Sequence, residues 1–327
     1  PDYLPGGEAL LGDTCALMAQ LLLDPVTRGG LLLPQYVDSE REKLLDIIRS
    51  RMNDKRSYAL TRCIEEMCCY EDFAVSRFGS ESEAENIHYK KLTRHYRELI
   101  QTCPVEIFYC GKTDFKAVSA AMRDAFSAMP RGEIDYDIGT DLRMNAVEDH
   151  VRFVEEEMDV TQGKLVLGFR LGECMEEPDI PALYVFNAVY GSGATSKLFM
   201  NVREKLSLCY YASSAVYLHK GIMLVSSGIE FDKLDAARDE ILAQLDSVRW
   251  GEITDDELRS AKKSVASDLC AVQDSIGELE GFYLSQALDG LDYGPAELAA
   301  LAEDVTKEDV QAIAESIECD LIYFLKG

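Results

Sequence analysis

The chain has 327 residues, of which 47% are hydrophobic, so it is long enough for one large or two ordinary domains that each bury a core. Its formal net charge of −26 would repel phosphate groups, which argues against binding nucleic acid or an anionic membrane by bulk electrostatics. No run of the sequence approaches the roughly 18 to 20 apolar residues that a membrane-spanning helix needs.

Ten cysteines are spread along the chain without a Cys-x-x-Cys pair, and most lie among apolar neighbours, as reduced core thiols do. The chain opens Pro1-Asp-Tyr-Leu-Pro, with neither the basic region nor the apolar core of a signal peptide. We therefore predict free cysteines and a cytoplasmic location. Because the chain also lacks an initiator methionine, we expect it to be a fragment of a longer protein.

Helical periodicity dominates the first part of the chain. Ser39 is predicted to begin one helix, because Ser39 and Glu42 have the spacing of a capping box. Residues 24–36 are predicted to form a loop, and Val105–Cys110 is predicted to form a strand that ends at Gly111. The other helices predicted in this part cover residues 8–23, 57–69, 84–101 and 114–129.

A boundary between two domains is predicted at residues 136–149. They lie in a charged stretch that begins at Pro130, contains Gly139 and shows no sustained hydrophobic period. This boundary assigns residues 1–135 to a first domain and residues 150–327 to a second domain.

The second part of the chain alternates strands with helices. Strands at 209–217 and 221–229 are separated by a His219-Lys220-Gly221 turn, which predicts a hairpin. This order predicts an α+β fold in which helices cover largely antiparallel sheets. The helix and strand order at the end of the first part is similar, which suggests an internal duplication. The remaining predicted elements are strands near 151–158, 164–170 and 321–325, and helices near 180–190, 232–247, 255–272 and 276–288, with shorter helices to about 316.

The most informative stretch of the sequence is 188–214. A helix is predicted to end near Gly191, and a loop of small residues follows it. Ser196 is a suitable N-cap for the next helix, whose apolar positions recur at helical spacing. Arg203 lies near the end of that helix, and Tyr210 lies where the next strand begins.

This stretch resembles the second homologous domain of the insulinase/pitrilysin metallopeptidases, a group that includes the mitochondrial processing peptidases. The family pattern is a glycine-rich loop, then Ser-x-Leu-Phe, then Arg-Glu-Lys, a short gap and Tyr. The matching residues are Gly191, Gly193, Ser196, Leu198, Phe199, Arg203, Glu204, Lys205 and Tyr210. The resemblance implies two homologous α/β-layer domains that face each other, the first of which is incomplete at its N-terminus in this chain.

The resemblance also implies substrate-binding roles for four residues. In the family, the arginine and the tyrosine reach across a chamber between the domains and donate hydrogen bonds to substrate; here they are Arg203 and Tyr210, with Gly191 and Gly193 in the adjoining loop. A guanidinium and a phenol can both hydrogen-bond the oxygen on which negative charge develops when a peptide carbonyl is attacked. The competing interpretation is an exposed helix arginine and a half-buried strand tyrosine, because such pairs are common.

The zinc-binding signature of the family, His-x-x-Glu-His on a helix, is absent from this sequence. Glu40 matches the position of the family's third ligand, but a carboxylate in the first turn after Ser39 also favours the helix dipole, which is the preferred interpretation. His88 and His95, with Glu98, could form another metal site, although a solvated basic face is the favoured interpretation. We therefore expect no cofactor in this chain, with zinc supplied only by an upstream segment or by a partner.

The resemblance implies a peptidase-like protein that binds peptides in a chamber between domains. It would be a non-catalytic subunit or a fragment of a zinc metallopeptidase, so whether the chain is itself an enzyme stays open. The expected partners are a peptide substrate and either a zinc-bearing homologous subunit or a second copy of the chain. The alternative is a non-catalytic structural or assembly subunit with the same fold, which would not need Arg203 and Tyr210.

Overall fold

The computed structural model describes residues 10–139 and 142–327. Helices and strands both contribute, which confirms the predicted α+β class. The helices are α1 (Leu11–Leu23), α2 (Pro34–Ser50), α3 (Lys55–Met67), α4 (Glu81–Glu85), α5 (Tyr89–Thr102), α6 (Phe115–Ala125), α7 (Ile180–Asn187), α8 (Leu234–Arg249), α9 (Asp255–Val272), α10 (Ile276–Asp289), α11 (Pro295–Asp304) and α12 (Lys307–Ser316). The strands are β1 (Thr27–Arg28), β2 (Leu31–Leu32), β3 (Arg152–Glu157), β4 (Gly163–Arg170), β5 (Cys209–Tyr217), β6 (Ile222–Ile229) and β7 (Glu318–Lys326). None of the described helices is both long enough and apolar enough to cross a membrane.

The chain divides into two compact units. Unit 1 takes in residues up to Arg49 together with Phe78–Ile138, and unit 2 takes in Ser50–Arg77 together with Gly139–Gly327. The structure therefore differs from the predicted division in one segment, because Ser50–Arg77 packs with the second part of the chain. That the two units are homologous peptidase-like domains stays a prediction.

Helix α2 of unit 1 begins earlier than the sequence predicts. It starts at Pro34, whose fixed φ suits the first position of a helix and whose missing N–H is not needed there. Ser39 consequently lies inside α2, so the predicted capping box with Glu42 is wrong. A capping box does begin α4, where the Ser80 hydroxyl and the Glu83 carboxylate satisfy each other's backbone N–H groups.

Two further predictions for the first part are corrected by the structure. Residues within the predicted loop 24–36 form the antiparallel pair β1 and β2, in which Thr27 is opposite Leu32. Val105–Cys110 forms no strand, because in the described part of unit 1 the sheet consists of β1 and β2 alone. The segment does have the apolar pattern of a strand, but a strand also needs a partner strand to hydrogen-bond its backbone N–H and C=O groups. The first two residues of the predicted helix 8–23, and residues 140–141 of the predicted boundary, lie outside the described residues.

Unit 2 is built on a five-stranded sheet with the strand order β3-β7-β4-β6-β5. The β3–β7 pair is parallel and the other three neighbouring pairs are antiparallel, as the sequence led us to expect. β5 and β6 form the predicted hairpin. Gly221 closes its turn with φ of 60°, a left-handed conformation that costs glycine little.

Helices cover both faces of this sheet, so the central part of β4, residues 165–169, is apolar on both faces. Leu165, Leu167 and Phe169 of β4 pack with α7, α8, α9, α11 and α12. Val166, on the opposite face, packs with α3. Gly168 lies under α3, where a Cβ atom would collide with the Met67 sulfur. Alternate residues of a strand point to opposite faces, which explains the uninterrupted apolar run.

A buried charge cluster fixes the C-terminal end of α3 to the sheet. The fully buried Arg170 donates from Nε to Asp320 at 2.9 Å and pairs through both terminal nitrogens with Glu71. Arg152 donates to the other oxygen of Asp320 at 2.7 Å. Both arginines also donate to the Met67 carbonyl at the end of α3, where positive charge favours the helix dipole.

A second polar contact holds the middle of α3. The Glu156 carboxylate of β3 accepts hydrogen bonds from Tyr58 at 2.6 Å, from Tyr323 at 2.8 Å and from Arg62 at 3.1 Å. Partial burial opposes ionisation of Glu156, but these three donors outweigh it and lower the pKa of the carboxyl group below its ordinary value. The ionised form of Glu156 therefore helps to dock α3 on the sheet.

Candidate functional site

The segment that carries the sequence motif follows α7 directly, and its helical parts are not regular α-helix. Residues 188–192 and 198–205 both form π-helical segments. The π-helix is rare, and π-helical turns within helices are frequent at functional sites. The predicted helix after Ser196 is therefore present, but with a wider turn than the sequence periodicity indicated.

The two glycines of the loop have different roles. Gly191 is buried, and a Cβ atom there would lie 2.5 Å from the Ser214 hydroxyl and 2.7 Å from a Leu198 methyl group. Gly193 is in an extended conformation, and the nearest atom to a Cβ there would be 3.8 Å away. Close packing therefore requires glycine at Gly191 but not at Gly193.

Two buried polar residues hold the loop against neighbouring elements. The Ser196 hydroxyl accepts a hydrogen bond from the Phe199 backbone N–H at 3.3 Å, which is the predicted N-cap interaction. Lys197 is almost completely buried, and its Nζ lies 3.1 Å from the Glu257 carboxylate at the start of α9. These contacts fix the N-terminal end of the π-helical segment Leu198–Lys205, and Arg203 lies near its C-terminal end.

Arg203 is partly exposed on this fixed segment. Its side chain is 41% exposed, and its guanidinium lies over the Phe199 ring, 4.7 Å from the ring centre. Its Nε is 3.6 Å from Glu204, which is a loose ion pair in a solvated setting. Val202, directly before it, is fully buried and anchors the backbone. The guanidinium therefore keeps donors available on a supported side chain.

Tyr210 lies at a β-bulge of the edge strand β5. Cys209 is opposite Ile229 and Tyr211 is opposite Gly228, so Tyr210 is the extra residue between them. The side chain of Tyr210 is exposed, and its hydroxyl donates a hydrogen bond to Glu230.

Glu230 is the residue that sequence reasoning missed at this site. It follows β6 directly, and only the register of the hairpin brings it to Tyr210. Its hydrogen bond and its negative charge raise the pKa of the Tyr210 hydroxyl above the ordinary value. Tyr210 is therefore held in its protonated form, and its proton is already shared with a carboxylate.

The structure brings Arg203 to the same end of β5 as Tyr210. The turn between them folds back, since Ser207 donates to the Arg203 carbonyl at 3.1 Å and Leu208 donates to the Val202 carbonyl at 3.0 Å. Burial raises the pKa of the Cys209 thiol, and a hydrogen bond with Ser227 and, to a smaller extent, the positive charge of Arg203 oppose this rise. The guanidinium thus acts electrostatically on the residue that precedes Tyr210. The arrangement presents one cationic donor and one phenol–carboxylate pair at a single exposed edge.

The residues that the structure describes do not fit a zinc ion. Glu40 lies in the middle of α2 rather than in its first turn; it is exposed and pairs with Lys43 at 2.6 Å. The predicted first-turn role of Glu40 is therefore wrong. His88 is the N-cap of α5 and accepts the Lys90 backbone N–H, which occupies its Nδ1. Among the described residues, no group of three histidine, cysteine, aspartate or glutamate side chains is placed to hold a metal.

A separate cavity of about 600 Å³ lies within unit 2 and contains none of the predicted site residues. Phe169, Leu242 and Leu245 line its apolar part, and Glu315 and Glu318 are among its acidic residues. The candidate site is therefore an exposed edge of unit 2 rather than this cavity.

Comparison with known proteins gives consistent results. Residues 86–265 match the family model described as peptidase M16 inactive domain. The chain is 32% identical to the probable inactive metalloprotease YmfF of Bacillus subtilis (strain 168), over 99% of this chain and 75% of that protein.

Solved structures show the same fold. A conserved protein from Enterococcus faecalis V583 aligns with a TM-score of 0.87 at 24% identity, over 100% of this chain and 76% of that chain. A chain of complex III2 from Candida albicans, solved with Inz-5 bound, aligns with a TM-score of 0.70 at 15% identity, over 96% and 76% of the two chains.

Proposed function

Since the chain belongs to the peptidase M16 family, we propose that it is a non-catalytic member that binds peptide at the exposed edge carrying Arg203 and Tyr210. The family resemblance drawn from the sequence is confirmed, whereas peptide binding is the proposal. In this proposal a zinc-bearing homologous subunit supplies the hydrolytic chemistry. The name of the Bacillus subtilis relative, a probable inactive metalloprotease, agrees with a non-catalytic role.

The observation that supports peptide binding is the exposure of two motif residues on irregular but well-anchored backbone. Arg203 lies in a π-helical segment and Tyr210 lies at a bulge, while the motif residue Leu198 is buried. Both irregularities depart from regular backbone hydrogen bonding; π-helical turns are frequent at functional sites, and β-bulges are over-represented at sheet edges and next to active sites. A solvated helix arginine and an ordinary strand tyrosine would need neither feature.

Binding can be tested directly with short fluorescein-labelled peptides and fluorescence anisotropy. Arg203→Ala is expected to weaken peptide binding about tenfold, because it removes a charge-assisted hydrogen-bond donor. The matched control is Arg259→Ala on α9, whose side chain is 62% exposed and pairs with Asp256 in the same helical turn. Equal affinities for the wild type and both variants would contradict the proposal.

The non-catalytic part of the proposal has its own test. The purified chain is expected to show no chelator-sensitive cleavage of the same peptides, because residues 10–139 and 142–327 do not assemble a zinc site. Peptide hydrolysis by the purified chain that a chelator abolishes would overturn this part. Adding a zinc-bearing homologue should produce cleavage, and Arg203→Ala should then lower the rate by about two to three orders of magnitude, as expected for a lost transition-state donor.

A second candidate function is that of a structural or assembly subunit. The observation that favours it is the similarity in fold to a chain of complex III2 from Candida albicans. If Arg203→Ala and Tyr210→Phe change neither the assembly of a native complex nor the activity of its peptidase partner, the assembly function is supported. If assembly persists and partner activity falls, the peptide-binding function is supported.

A further inference from the structure

The hydrogen bond between Tyr210 and Glu230 changes what Tyr210 can offer a ligand. A phenol has one O–H donor and otherwise only acceptor lone pairs. In this structure the donor is directed to the Glu230 carboxylate. A ligand carbonyl would have to compete with an ionised carboxylate, which is the stronger acceptor. The Tyr210–Glu230 pair can therefore offer a ligand hydrogen-bond acceptors and a negative charge, but not the Tyr210 donor.

The residues that follow Glu230 do not cancel its negative charge. Tyr210 and Glu230 are both exposed, so a ligand can reach the pair from solvent. Asp232 and Lys233, which follow Glu230, carry opposite charges and leave the local sum unchanged. The backbone also fixes the pair, because Ile229, directly before Glu230, is fully buried and lies opposite Cys209.

We propose that Glu230 is a specificity-determining residue: it accepts the hydrogen bond of the Tyr210 hydroxyl, so that the Tyr210–Glu230 pair binds a cationic N–H donor of the peptide. Arg203 is the complementary donor and binds a carbonyl or carboxylate oxygen. This reverses, for Tyr210, the donor role that the family resemblance implies. The inference rests on the proposed peptide-binding function, since it names the chemical class of group that the same edge selects.

The pair can be tested without any peptide substrate. The probe is N-acetyl-lysine methylamide, compared with the same compound acetylated on its side-chain nitrogen, and the readout is the ring resonance of Tyr210 in isotope-labelled full chain. Tyr210→Phe assigns that resonance. The lysine probe is expected to shift the wild-type resonance and the acetylated probe is not. Glu230→Gln, which keeps the shape of the side chain and removes its charge, is expected to abolish the shift.

A matched control comes from Asp232→Asn, which removes one negative charge two residues away. This variant is expected to keep the shift of the Tyr210 resonance, because the hydrogen-bond acceptor of Tyr210 is Glu230. A response that survives Glu230→Gln, or that Asp232→Asn removes equally, would overturn the inference. Circular dichroism of each variant confirms that the fold is retained.

Peptide binding then separates this inference from the proposed function. A labelled peptide with lysine is expected to bind the wild type about tenfold more tightly than the acetyl-lysine version, and Glu230→Gln should remove the preference. If the wild type binds neither peptide while the probe response holds, the proposed function fails and the assignment of the pair stands. If both peptides bind equally, the proposed function stands and the inference is overturned.

Discussion

Replacing Asp320 with alanine removes the centre of the buried charge cluster that fixes α3 to the sheet. Asp320 is fully buried and accepts from Arg170 at 2.9 Å and from Arg152 at 2.7 Å. Breaking a buried ion pair from one side costs about 3 to 5 kcal/mol, because the remaining charge loses its compensation. Glu71 still pairs with Arg170 in the variant, so we expect the lower end, about 3 kcal/mol.

The assay is urea denaturation of the full chain followed by far-ultraviolet circular dichroism. The control is Asp235→Ala on α8, because Asp235 is 81% exposed and pairs with Arg238 one turn away. An exposed pair of this kind contributes about 0.5 kcal/mol or less. A loss below about 1 kcal/mol for Asp320→Ala would refute the view that the cluster holds α3 in place.

Three further outcomes are expected. Gly191→Ala should lower the free energy of unfolding by about 1 to 3 kcal/mol because its Cβ has no room, whereas Gly193→Ala should change it by less than about 0.5 kcal/mol; equal effects in urea denaturation would contradict the packing argument. Because folding lowers the pKa of Glu156, its ionised form contributes to the free energy of unfolding; this contribution is fully present above the ordinary pKa and is lost as pH falls through the folded pKa. Glu156→Gln should therefore lower the free energy of unfolding at neutral pH and much less in acid. A loss that does not depend on pH would contradict this. Glu230→Gln should lower the pKa of the Tyr210 hydroxyl toward its ordinary value, measured by the pH titration of its ring resonance, and an unchanged pKa would show that the pair does not form in solution.

Local sequence patterns were sufficient to predict the elements whose contacts lie between residues close together in the sequence. The hairpin of β5 and β6 follows from two apolar runs around a glycine turn, and the long helix α9 begins at Asp255, as its periodicity predicts. The Ser39 capping box failed because a proline upstream started the helix first. The Val105–Cys110 strand failed because its apolar pattern says nothing about whether a partner strand is present.

At the candidate site, too, the sequence predicted residues of a contiguous motif but not a contact with a residue distant in sequence. Arg203 and Tyr210 were found from a motif of contiguous residues, since the spacing of the motif is a property of the sequence. Glu230 lies 20 residues beyond Tyr210 and contacts it only because the hairpin register shifts at a bulge. The one available signal was its position directly after a predicted strand that pairs with the strand of Tyr210. A bulge cannot be located from alternation alone, so the contact was not predictable.

The placement of α3 makes unit 2 discontinuous along the polypeptide. Its sheet is completed by a helix from Ser50–Arg77, which is separated in sequence from the rest of the unit by Phe78–Ile138. A chain begun at Gly139 would leave Val166 and Leu321 without the helix that covers them. Such a truncated chain would be prone to aggregation, and unit 2 can fold fully only after contacts across more than sixty intervening residues have closed. The two units are therefore not separable by one proteolytic cut, and an isolated unit 2 would have to include α3.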